Sequence, residues 1–116
     1  MITIDNLKAF GANVEAGVAR CMNNEGFYLK LVQKILADTS FDRLKSEVEE
    51  EKYSEAFETA HALKGVTGNL ELTPVFDMVC QITEILRGGF DPADKEELTS
   101  LVDGVTVKMN ELRAMN

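Results

Sequence analysis

The sequence predicts an all-α protein, an antiparallel up-down four-helix bundle with short N-terminal helices covering one end. Three observations carry this expectation. No segment alternates apolar and polar residues with period two for long enough to make a convincing strand. Apolar residues instead recur at steps of three and four through most of the chain. Both prolines stand where helices open, in Thr73-Pro74 and Asp91-Pro92, and Gly88-Gly89 between them reads as a helix stop.

Residues 4–8 and 13–21 read as two short leader helices, with Asn13 placed to cap the second. A longer helix starts near Asn24 and runs towards Glu50. Tyr28, Leu31, Val32, Ile35 and Leu36 give its first apolar face, which Leu44 and Val48 continue. The polar stretch Asp38-Thr39-Ser40 either kinks this helix or splits it, and the pattern fits both.

The next helix is expected from Ser54 as N-cap, with Glu55 in its first turn. Its inward stripe is Ala56, Ala60, Leu63, Thr67 and Leu70, the alternating step of left-handed bundle packing. The small alanines admit a close neighbour. A helix over about 74–87 follows Thr73 as N-cap and carries Val75, Val79, Ile82 and Leu86 on one face. The last runs from about 92 to near the C-terminus, with Leu98, Leu101, Val102, Val105, Met109 and Leu112 inward.

Bulk properties narrow the function. A chain of 116 residues is expected to form one domain over residues 1–116. It has no internal repeat and no low-complexity linker. No apolar run approaches the roughly 20 residues of a membrane span, and no signal peptide opens the chain. The expectation is therefore a cytoplasmic protein without membrane contact. Cys21 and Cys80 are too few for a disulfide framework and are expected as buried, reduced thiols. No His or Cys pair has zinc-motif spacing. The net charge of −8, without any basic cluster, argues against nucleic acid as a partner. The same acidity and the lack of strands argue against reading Gly65 to Gly68 as the GxxG loop of an RNA-binding KH domain. The run Glu47, Glu49, Glu50, Glu51 reads as a solvated helix face.

The chemistry concentrates at His61, the sole histidine. Lys64 and Gly65 follow at three and four residues and share its helix face. His61 itself lies roughly 100° or more from most of the inward stripe, so it points away from the core. Imidazole titrates near neutrality, so a neutral ring nitrogen is available to attack phosphorus. Lys64 is placed to steady phosphoryl oxygens as a point charge. Glycine inside a helix costs about 1 kcal/mol against alanine, which suggests that Gly65 keeps space clear. Gly68 supports that on the same face. Taken without further context, a lone helical histidine is more often a surface or capping residue, and a solvated lysine is the lesser alternative for Lys64.

The stretch Thr59-Ala60-His61-Ala62-Leu63-Lys64-Gly65-Val66-Thr67-Gly68-Asn69-Leu70 resembles the signature of histidine-containing phosphotransfer (HPt) domains, His-x-Leu-Lys-Gly followed by an apolar residue five positions on. The segments Gly11 to Arg20 and Glu25 to Val32 are similar to the leader of many bacterial HPt modules. The resemblance extends over nearly the whole chain. It departs from the family pattern at Glu71, where many members carry glycine.

This resemblance implies a phosphoryl carrier in a two-component phosphorelay. His61 would accept a phosphoryl group from a receiver-domain aspartate and pass it to another receiver. The implied partners are response-regulator receivers and a hybrid sensor kinase, with the protein itself a monomer. No cofactor is implied on this chain; Mg²⁺ would sit on the receiver. No nucleotide-binding glycine motif is present, so the chain would not phosphorylate itself from ATP. Apolar surface around the histidine is also implied, with Phe57 and Gly68 as docking candidates. Phe57 lies one turn before His61 and reads either as such an anchor or as a core residue. Family members often place a polar side chain on the next helix facing the histidine, for which Gln81 and Thr83 are the candidates.

Two other readings fit a helical bundle. One is a binding module that docks on a receiver or kinase without transfer. The other is an enzyme using His61 as general base, which lacks a second catalytic group at defined spacing.

Overall fold

The computed structural model describes residues 1–116. Seven α-helices follow one another: α1 (Ile4–Phe10), α2 (Val14–Arg20), α3 (Glu25–Leu36), α4 (Ser40–Glu49), α5 (Tyr53–Asn69), α6 (Thr73–Leu86) and, after a 3-10 turn at Pro92–Asp94, α7 (Lys95–Met115). No strand forms. Helices α4, α5, α6 and α7 pack in sequence, and α7 closes the ring on α4. This is the expected bundle. No helix is long and apolar enough to cross a membrane.

The polar stretch after Leu36 splits the long helix rather than bending it. The Asp38 carboxylate accepts the Ser40 N–H at 2.8 Å, which starts α4 afresh. Arg113 of α7 donates its Nε–H to the Leu36 carbonyl at 3.1 Å, satisfying one of the bare carbonyls at the end of α3.

Two expected caps are not caps. α5 begins at Tyr53 after Lys52, with no side-chain cap, so Ser54 lies inside the first turn. The reason is the preceding turn. Glu51 takes a left-handed φ of 59°, and Lys52 N–H bonds the Glu47 carbonyl at 2.8 Å. That closes α4 and delivers the chain straight into α5. Likewise α6 begins at Thr73 after Leu72. The Thr73 hydroxyl donates back to the Glu71 carbonyl at 3.4 Å instead of accepting from the helix. Asp91 does cap, accepting from Ala93 N–H at 2.9 Å, but it caps the 3-10 turn ahead of α7.

The inward stripe of α5 is buried as expected: Ala56, Ala60, Leu63, Thr67 and Leu70. The Thr67 hydroxyl is satisfied by the Leu63 carbonyl at 2.7 Å. Cys21 is buried, whereas Cys80 is only partly so, which corrects the expectation of two buried thiols.

The leader helices fasten the last turn of α5. Tyr28 of α3 is fully buried and donates its hydroxyl to the Leu70 carbonyl at 2.8 Å. Asn13 N–H bonds the Glu71 carbonyl at 3.0 Å. Gly17 of α2 lets the Tyr28 ring in: a Cβ there would stand 2.4 Å from Tyr28 Cε1.

Candidate functional site

The outer face of α5 carries a ladder at four-residue steps: Tyr53, Phe57, His61, Gly65. Tyr53 stacks on Phe90 from the loop after α6, with centroids 4.0 Å apart. Phe57 stacks against His61 at 6.0 Å and 18°. The Arg87 guanidinium lies 5.5 Å above the Phe57 ring, within range of a cation–π contact. Phe57 is half-buried and packs on the core edge, so it stands between the two readings its spacing allowed.

Beyond His61 the face opens into a shallow groove of about 400 Å³. His61, Lys64, Gly65 and Gly68 all line it, so the structure brings these predicted residues together. His61 is exposed and Lys64 half-buried. Gly65 faces open space, with nothing within 4 Å of where a Cβ would stand. Gly68 is different: a Cβ there would come within 2.8 Å of the Phe76 ring, so this glycine admits a neighbour from α6 rather than a visitor from outside.

Two groove residues have no signal in the helical pattern of α5, because other elements supply them. Phe76 comes from α6 and Arg20 from the end of α2. Arg20 pairs with Glu71, Nη2 to Oε1 at 3.0 Å. Glu71 itself stands just past α5 with φ 55°, where glycine is favoured. Its N–H bonds the Gly68 carbonyl and the next N–H, of Leu72, bonds that of Thr67, at 3.1 and 3.0 Å. This double bond pattern satisfies the end of α5 with a non-glycine residue at the left-handed position.

The two polar candidates on α6 do not reach the groove. Thr83 is fully buried and its hydroxyl donates to the Val79 carbonyl at 2.8 Å. Gln81 is exposed and its amide donates to the Asp77 carbonyl at 3.4 Å. Thr83 lies seven residues after Phe76 and so on nearly the same face of α6, but it is fully buried, whereas Phe76 lines the groove. Burial raises the Cys80 thiol pKa; the Lys64 charge opposes the rise, and Asp77 and Glu84 add to it.

A second hollow of about 450 Å³ adjoins the first, between α3 and α5, with Leu31, Ile35, Val66 and Leu70 as its apolar wall. Asn69 borders both. No group of three or more His, Cys, Asp or Glu side chains is placed to hold a metal ion.

The model of the Hpt domain family matches residues 34–115, from the end of α3 to the end of α7. No curated protein and no solved structure gives a significant match.

Proposed function

Because the chain belongs to the Hpt domain family, whose members carry phosphoryl groups on histidine in phosphorelays without kinase activity of their own, we propose that His61 is the phosphoryl acceptor of this protein. One observation carries the assignment. The sole histidine is exposed on the family-matched helix, with a cation three residues on and open space four residues on.

The proposed donor is a phospho-aspartate in a receiver domain. The unprotonated imidazole nitrogen attacks phosphorus, the P–O bond to the aspartate breaks, and the aspartate leaves as a carboxylate. In the second half of the relay the N–P bond breaks as another receiver's aspartate attacks, and imidazole departs. Lys64 offsets charge on the phosphoryl oxygens in both directions. Gly65 leaves the attacking line clear. The chain supplies a positioned nucleophile, and the receiver supplies Mg²⁺. The same reading assigns a hybrid sensor kinase as the upstream source, the cytoplasm as the compartment and a monomer as the working form.

The test is incubation with a phosphorylated receiver, followed by analysis for acid-labile, alkali-stable label. Wild type should take up label and His61→Gln none. Label persisting in His61→Gln would refute the assignment, and binding without label would favour a docking module.

A further inference from the structure

Resting on the reading of His61 as a phosphoryl carrier, we propose that Arg20 is a second, switchable cation of the site. Glu71 holds it while His61 is bare, and it turns to the phosphoryl oxygens once His61 is loaded.

Three observations converge on this. First, Arg20 and Glu71 line the same groove as His61 and Lys64, although Arg20 comes from a different part of the chain. The floor between them is bare, since Gly65 has no side chain and Gly68 is filled from the α6 side. A long, solvent-exposed arginine side chain and the His61 imidazole thus share one open surface.

Second, the resting pair is exchangeable. The Arg20 side chain is 56% exposed and that of Glu71 22%. An ion pair this open to water is weak, whereas arginine binds phosphoryl oxygens in a two-pronged geometry that lysine does not match.

Third, Glu71 keeps a carboxylate at a left-handed position, φ 55°, where glycine would be free of strain. The use of that carboxylate on this surface is to hold Arg20. A phosphoryl group brings close to two negative charges. It attracts Arg20 and repels Glu71, so both effects drive the same exchange. The other charged residue lining the groove is Lys64 of α5.

The experiment bypasses any receiver. Phosphoramidate transfers its phosphoryl group to imidazole and releases ammonia, and His61 is the sole histidine. The second ionisation of the bound phosphoryl group is then followed by ³¹P NMR. A neighbouring cation favours the dianion, so Arg20→Ala should raise that pKa by at least about half a unit, roughly a threefold change in proton affinity. Arg20→Lys should recover part of the shift. Glu71→Gln should lower the pKa below wild type. Lys108→Ala, which removes one charge from α7, should leave it unchanged. Equal titration of wild type and Arg20→Ala overturns the proposal, as does an equal shift in Lys108→Ala. A Glu71→Gln value at or above wild type refutes the counter-ion role. Failure of receiver transfer would count against the carrier reading alone, because this measurement does not pass through a receiver.

Discussion

The Phe57 ring lies 6.0 Å from the His61 imidazole and within 18° of parallel to it, one helical turn earlier on α5. Offset stacking of this kind restricts the torsions of both rings. It fixes the plane in which the histidine nitrogens point without occupying either nitrogen. The Arg87 guanidinium, 5.5 Å from the Phe57 centroid, gives the ring a second partner.

Truncating Phe57 should therefore affect both fold and transfer. The ring is half-buried, so Phe57→Ala should cost about 1–3 kcal/mol, less than a full core truncation. Phe57→Leu should recover most of that stability while still slowing transfer several-fold, since it fills space without stacking. Thermal melts alongside single-turnover transfer kinetics check this. Equal rates for Phe57→Leu and wild type would leave the stack as packing alone.

Lys64 should matter for rate more than for stability. A charge-assisted contact that strengthens in the transition state is worth about 1–3 kcal/mol. Lys64→Ala should then slow transfer by roughly tenfold to a hundredfold. A rapid-quench comparison with wild type measures it, and unchanged kinetics would return Lys64 to the status of a surface lysine.

The two glycines of the face should respond with opposite signs. Gly65→Ala meets nothing within 4 Å, so it should stabilise α5 by up to about 1 kcal/mol. Gly68→Ala pushes a methyl to within 2.8 Å of the Phe76 ring and should destabilise by about 1–3 kcal/mol. Gly65→Gln should keep the fold and block the receiver. Denaturant melts rank the stabilities, and a Gly68→Ala as stable as Gly65→Ala would contradict the packing assigned here.

Alkaline stability should trace to Tyr28. Burial first, then the negative charges of Cys21 and Glu71, push its hydroxyl from the ordinary 10.0 up to about 12. The folded state thus holds the phenolic proton more tightly than the unfolded chain. This stabilisation is fully present below pH about 10 and is lost as the pH rises to about 12, a fall of about 2–3 kcal/mol. Tyr28→Phe also leaves the Leu70 carbonyl without its donor, at a cost of about 1–3 kcal/mol at neutral pH. The gap between wild type and Tyr28→Phe should close as pH climbs through that window. Parallel curves would show that another group governs the alkaline loss.

The helical period predicts the buried stripe and the outward face of His61 well. The α5 stripe from Ala56 to Leu70 is buried and His61 is on the opposite side, because both follow from position on one helix. Caps were harder to read. Ser54 and Thr73 have the right chemistry, but the turns at Glu51 and Glu71 decide where the chain enters the next helix. Those turns use left-handed glutamates, where sequence reasoning expects glycine. The contribution of α6 to the groove could not be read from Gln81 or Thr83. Which α6 residue reaches the groove depends on how the two helices are rotated and shifted along each other, and that is a packing result. Arg20 lay further out of reach, since α2 is tied to α5 by backbone bonds at Asn13 and packing at Gly17 that no periodicity encodes.

Those ties bear on where the smallest working unit of this protein ends. The matched segment opens at residue 34, yet the donors to the Leu70 and Glu71 carbonyls, Tyr28 and Asn13, lie before it. A fragment cut to the matched boundary would leave two carbonyls at the foot of α5 facing a vacated hollow. Unsatisfied groups at a helix end fray the turns next to them. Gly68 and Asn69 are in those turns, and Lys64 and His61 follow within two more. A shortened protein would retain every residue of the His-x-Leu-Lys-Gly motif and still present it on a loosened support.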